Sequence, residues 1–131
     1  MAYKFGSTSL NRMQGVHPLL CECAERAISY GILDLTVPPL GGLRTKMDQE
    51  QLVDIGASQT MNSLHRIQGS GYGHAVDLIP YPVDWNDRER FLMMGTLMFR
   101  AANELGLPIQ WGGHWKNFKD YPHFQLPRGF V

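Results

Sequence analysis

The sequence has little of what marks many functional classes. Only two cysteines occur among 131 residues, Cys21 and Cys23. Two residues apart on a helix, their side chains diverge, so no disulfide is expected between them, and a structural zinc knot lacks its second cysteine pair. Both are expected to be buried, reduced thiols. No apolar run approaches the roughly 18–20 residues that cross a bilayer. The N-terminal MAYKFGSTSLNRMQGV has no apolar stretch after Lys4 of the kind a secretory signal carries. The expectation is a soluble protein made in a cytoplasm, with no membrane insertion. Neither sign of charge is in excess, with 12 Lys+Arg against 12 Asp+Glu. Without a basic excess or a Lys/Arg stripe, nucleic acid is not the expected partner. Internal repeats, low-complexity tracts, interdomain linkers and heptads are also missing, and a monomer is expected.

What remains is an ordinary globular composition, 44% hydrophobic and 18% charged. A chain of this length suits one core, so residues 1–131 are read as a single domain. PLLCECAERAIS, Pro18 to Ser29, places Leu20, Cys23, Ala24, Ala27 and Ile28 at helical intervals. ILDLTV, 32–37, alternates as a strand before Pro38-Pro39. A helix is predicted over 48–55 with Leu52 and Ile55 as its apolar side, and a functional loop over 58–73. AVDLI, 75–79, reads as a buried strand. Asn86 and Glu89 resemble a capping box opening the longest helix, which stops at Gly106. Short strands are predicted over 108–111 and 122–126, around a Gly-rich aromatic turn. Helices mixed with short-linked strands indicate an α+β fold, with helices packed on a small, mainly antiparallel sheet.

Of the five histidines, His17, His65, His74, His114 and His123, three fall in glycine-rich segments read as loops or strand ends. A catalytic zinc site needs three protein ligands, mostly His and carboxylate, and leaves a fourth position for water. Asp77 within AVDLI calls for a cation or strong donors, because burying an unpartnered carboxylate costs several kcal/mol. Two histidines and Asp77 can supply ligands, and a further acid a base, but spacing alone leaves a structural reading of these histidines open.

Ser63-Leu64-His65 followed by Gly73-His74-Ala75-Val76-Asp77 resembles the SxH…GxAxD motif of the zinc D-alanyl-D-alanine carboxypeptidase (VanY-like) family. Within it, the chain is most similar to single-domain phage endolysins that cleave the L-alanyl-D-glutamate bond of peptidoglycan. Val16-His17-Pro18, Gly42-Leu43-Arg44-Thr45, Gln51-Leu52, Gly56-Ala57-Ser58, Trp111-Gly112-Gly113 and Asp120-Tyr121-Pro122-His123-Phe124 extend the resemblance in order along nearly the whole chain. It implies one catalytic zinc ion on His65, Asp77 and His123, with Asp120 as general base. Arg44 is implied as a catalytic or substrate-holding cation, and Ser63 as a substrate contact.

Two departures stand out. His65 precedes Asp77 by twelve residues where the family motif has seven, so about five extra residues lie within 66–72, and His74 is an alternative first ligand. His114 replaces the Asp of the family's Trp-Gly-Gly-Asp-Trp turn, and is a further candidate substrate contact. The implied reaction is attack of metal-activated water on the stem peptide of peptidoglycan, causing host lysis. The implied location is the host cytoplasm until a phage holin permeabilises the membrane, and then the cell wall. Removal of terminal D-alanine or of a D-Ala-D-Ala dipeptide is the same-family alternative. A non-catalytic, zinc-containing peptidoglycan-binding domain is the alternative from another class.

Overall fold

The computed structural model describes residues 2–131. Its elements are α1 (Ser7–Arg12), α2 (Pro18–Ser29), β1 (Leu35–Thr36), α3 (Lys46–Asp54), β2 (Ala75–Asp77), β3 (Ile79–Pro80), α4 (Arg88–Leu105), β4 (Gln110–Trp111) and β5 (His123–Gln125). A short 3-10 turn covers Gly112–His114. The α+β expectation agrees with this arrangement: β2, β5 and β4 form an antiparallel sheet in that spatial order, and β1 pairs antiparallel with β3.

The five predicted apolar positions of α2 are all buried. They pack against α4, whose Phe91, Met94, Leu97, Met98 and Ala101 are buried in the same core. Alanines at 24, 27 and 101 let the two helices approach closely, and the Cys23 thiol donates to the carbonyl of Met98 at 3.5 Å. Cys23 is buried as expected and Cys21 only half-buried; both are free, and burial pushes the Cys21 thiol up to about 11 and that of Cys23 to about 12, so both are protonated at neutral pH. Helix α4 meets the sheet at Gly95, where a Cβ would lie 2.8 Å from the Trp111 indole. That indole stacks on Phe124 and donates Nε1–H to the carbonyl of Tyr121 at 2.7 Å.

Several local expectations are corrected. Helix α1 was not foreseen. The strand expected over 32–37 shortens to β1. The AVDLI segment divides after Asp77: β2 pairs with β5, while β3 pairs with β1. Helix α3 begins earlier than predicted, because Thr45 and Asp48 form a reciprocal capping box. Its inward residue is the fully buried Gln49, and Ile55 is 76% exposed. At α4 the cap is Asp87, whose side chain accepts from the Arg90 N–H, rather than the Asn86/Glu89 pair. Gly106 ends α4 in the left-handed conformation, φ 65°, which a residue with a Cβ adopts only at a cost.

Candidate active site

Strand alternation sets the first part of the site. In the β2–β5 register Asp77 stands opposite His123, and Val76 opposite Phe124. Side chains alternate between faces, so Val76 and Phe124 enter the core while Asp77 and His123 share the other face. His65 arrives from the loop after α3. Its carbonyl accepts from Arg44 N–H at 2.9 Å, and the next turn returns through His74 N–H to the Leu64 carbonyl at 2.7 Å.

The three side chains converge. His65 Nε2 lies 3.2 Å from Asp77 Oδ1, His123 Nδ1 lies 3.4 Å from the same oxygen, and the two ring nitrogens are 3.2 Å apart. Each imidazole has its other nitrogen engaged. His65 Nδ1 donates to the Gly42 carbonyl at 2.9 Å, and His123 Nε2 donates to Gln125 Oε1 at 2.7 Å. A carbonyl oxygen only accepts, so in the neutral rings the inward nitrogens carry lone pairs. Three acceptor atoms therefore face one another without a hydrogen among them. Asp77 Oδ1 is buried and has no hydrogen-bond donor.

Such an arrangement calls for a cation. Ligands 2.0–2.1 Å from a tetrahedral ion lie about 3.3–3.4 Å apart, close to the spacing of these three atoms. The set of two imidazoles and one carboxylate, with the outer ring nitrogens anchored, fits a small divalent metal ion.

Around this triad, Arg44 commits three of its five N–H donors to orientation. Nη2 binds Asp77 Oδ2 at 3.2 Å, Nη1 binds Gln49 Oε1 at 3.3 Å and Nε binds the Leu40 carbonyl at 2.8 Å. Gln49 in turn donates to Ser58 Oγ and the Thr60 carbonyl, each at 2.8 Å. The carboxyl of Asp77 is thereby divided: Oδ2 is held by Arg44, and Oδ1 is left for the triad. Its pKa lies well below the usual carboxylate range, because His65 and His123 outweigh the opposing effect of burial. The pKa of His123 is raised: burial works against this, and the nearby negative charge of Asp77 overcomes it.

Asp120 stands at the mouth of the site. Its carboxyl pKa is raised by burial first and then by the negative charge of Asp77. Two clefts meet there. One, of about 590 Å³, contains Ser63, His65 and His123; the other, of about 620 Å³, contains Asp77; Arg44, Lys119 and Asp120 line both. Ser63 Oγ also accepts from His65 N–H at 3.1 Å. Gly112 allows the Asp120 turn, since a methyl there would overlap the Asp120 carbonyl oxygen.

Two expected candidates lie elsewhere. His74 binds Ser70 Oγ at 2.7 Å and packs edge-on to His17, away from the triad. His114 stacks on Phe99 at 5.3 Å and lines a separate aromatic pocket of about 350 Å³. The extra residues after His65 turn outward: Ile67 bridges to Gly73, and Gln68 to Gly71 close a turn between them. Sequence reasoning missed Gln49 and Gln125. For Gln125 a signal existed, since His-x-Gln on a strand puts both side chains on one face; a polar helix residue such as Gln49 gives none.

The sequence profile of the phage L-alanyl-D-glutamate peptidase family matches residues 1–130. The chain belongs to this family. Among curated relatives, the L-alanyl-D-glutamate peptidase of Listeria phage A118 is 37% identical over 87 residues, covering 64% of this chain and 28% of that protein. The chain thus spans little more than a quarter of that phage protein's length. The peptidoglycan L-alanyl-D-glutamate endopeptidase CwlK of Bacillus subtilis is 27% identical over 127 residues, covering 85% of this chain and 73% of that one. Among solved structures, the Serratia marcescens L-Ala D-Glu endopeptidase ChiX superposes with a TM-score of 0.81 at 36% identity, covering 95% of this chain and 90% of its own. No helix among the described residues is long and apolar enough to cross a membrane.

Proposed function

We propose that residues 1–131 act as one catalytic domain, a monomeric zinc peptidase that cleaves the L-Ala–D-Glu bond of the peptidoglycan stem peptide as a phage endolysin. The observation that carries this reading is the buried, donor-free Asp77 Oδ1 flanked by two inward imidazole lone pairs, with Asp120 beside them in an open cleft. A purely structural zinc site is closed by four protein ligands; here three ligand candidates face a cleft and a separate acid. Family membership and the printed activities of the phage, Bacillus and Serratia relatives support the substrate.

His65, Asp77 and His123 hold the zinc. Bound there, zinc supplies Lewis acidity, acidifying water and polarising an amide carbonyl. Asp120, its pKa raised above the ordinary carboxylate value, takes the proton of the attacking water and returns it to the leaving amine. Arg44 fixes the carboxylate of Asp77, and its two uncommitted N–H groups serve the developing negative charge on the scissile oxygen. Ser63 contacts the peptide along the cleft wall. Reaching the wall from the host cytoplasm requires a holin or similar membrane-permeabilising partner.

Purified sacculi digested with and without a chelator provide the test. Mass spectrometry is expected to find a new N-terminal D-glutamate that depends on zinc. Released D-alanine instead would assign carboxypeptidase action, and stoichiometric zinc without any cleavage would assign a binding module.

A further inference from the structure

The two clefts that meet at Asp120 run to different parts of the surface. The one beside Ser63 has Ser58, Thr60, Asn62 and Arg128 on its walls together with Trp115 and Phe118. The other extends from Asp77 and Asp120 to Trp85, Asn86 and Arg88. Trp85 lies on the turn between β3 and α4 and is 61% exposed. Its indole is not loose: it stacks on the buried Phe91, with ring centroids 5.7 Å apart and planes at 20°. Phe91 leans on Tyr121 at 6.2 Å, and the Arg88 guanidinium lies 5.9 Å above the Tyr121 ring. The fold uses only one face of the indole.

An exposed aromatic face fixed from behind, with an amide and a guanidinium alongside, is suited to a pyranose. The apolar C–H face of the sugar covers the ring, and its hydroxyl and acetamido groups meet the polar neighbours. We propose that Trp85, Asn86 and Arg88 form a saccharide subsite that holds the amino-sugar end of the substrate, while the cleft beside Ser63 receives the carboxylate-bearing remainder of the stem peptide.

This rests on the endopeptidase reading above. In that substrate the alanine amine is amide-linked to the lactyl group of muramic acid. One residue, about 3.5 Å of chain, and the lactyl group separate the sugar from the scissile bond. The sugar must therefore lie close to Asp120, and a substrate crossing Asp120 enters both clefts because Arg44, Lys119 and Asp120 belong to each. Arg128 and the hydroxyls suit the carboxylate-bearing half on the Ser63 side, and the exposed indole of Trp85, braced on Phe91, offers the sugar a fixed face on the other.

The test compares kcat/KM on a disaccharide-linked tripeptide with that on the same tripeptide lacking sugar, for the zinc-loaded wild type, Trp85→Ala and Trp85→Phe. The ratio is expected to fall about three- to tenfold in Trp85→Ala, the size of an aromatic contact, through KM, and to recover in Trp85→Phe. Equal losses on both substrates, or none on either, overturn the subsite. Titration with the GlcNAc–MurNAc disaccharide, read by tryptophan fluorescence, measures the subsite apart from cleavage: saturable quenching in the wild type that is absent in Trp85→Ala supports it, and no quenching in the wild type overturns it. A wild type that binds disaccharide but cleaves neither peptide overturns the endopeptidase reading and leaves the subsite standing.

Discussion

Asp77 and His123 are direct cross-strand neighbours, paired in the β2–β5 register with the ring nitrogen 3.4 Å from the carboxylate oxygen. The core on the opposite face locks that pairing, because a one-residue slip would turn Val76 and Phe124 outward along with it. The metal-facing geometry is thus a by-product of burying two apolar side chains. The finer aim of each ligand depends on polar partners outside the triad.

Gln125 is one such partner, the acceptor for His123 Nε2–H, and it is itself tied to Gln110 Oε1 at 2.9 Å. In Gln125→Leu the ring loses its anchor and the tautomer that presents Nδ1 is no longer favoured. Zinc affinity is expected to fall about 10- to 100-fold, with Gln125→Glu keeping most of it. Competition against a chromogenic chelator measures this, and an unchanged affinity in Gln125→Leu would show that the bond does not orient the ligand.

Asp120 makes the contrasting case, since it lies outside the His65–Asp77–His123 cluster and its proposed part is to move protons. Asp120→Asn is expected to retain stoichiometric zinc and the wild-type melting profile while losing about 10²–10⁴ in kcat, the range of a positioned acid–base group. Metal analysis and muropeptide release measure the two halves of this statement. Near-wild-type turnover would remove Asp120 from the reaction.

Gly42 couples the fold to His65 through its carbonyl. A methyl at this position would overlap the Arg12 carbonyl oxygen, and the backbone has no room to move without shifting the acceptor of His65 Nδ1. Gly42→Ala is expected to cost about 1–3 kcal/mol, as overpacking does, and to weaken zinc binding as well. Gly69→Ala is the control: open space surrounds that glycine in the outward loop, and its melting temperature and zinc affinity should match the wild type.

How much of this was readable in the sequence follows from which physics each residue obeys. The buried stripe of α2 and the glycine stop of α4 are periodic or local signals, and both are where the sequence indicates. Asp77 stood out because a carboxylate in an apolar strand is costly without a partner. Gln49 was invisible: its burial is made tolerable by Arg44, Ser58 and Thr60, partners five to eleven residues away, and its helix reads as apolar at Ile55, which is exposed. The division of AVDLI between two sheets was equally hidden, because pairing with β5 and β1 depends on strands far along the chain. His65 and His74 could not be separated by spacing alone; only the outward turn of 68–71 shows which ring is carried inward.

His74 supplies a prediction about acid stability. Its Nε2 pairs with Ser70 Oγ at 2.7 Å, its ring centroid lies 5.4 Å from that of His17 and 6.1 Å from that of Phe130, and its pKa is lowered by burial first and then by the His17 charge. The unfolded chain binds a proton at this residue near pH 6.5, whereas the folded chain resists until a lower pH. Above pH 6.5 the group is neutral in both states and contributes no pH dependence; as pH falls below it the unfolded state gains protons first, so stability declines. His123, whose folded pKa is raised, acts in the opposite direction in metal-free protein, which makes a difference measurement necessary. Urea denaturation of metal-free wild type and His74→Gln at pH 7.5 and 5.5 is expected to show a larger loss on acidification in the wild type. An identical loss in the two proteins would mean that His74 titrates in the folded state as it does in the unfolded chain.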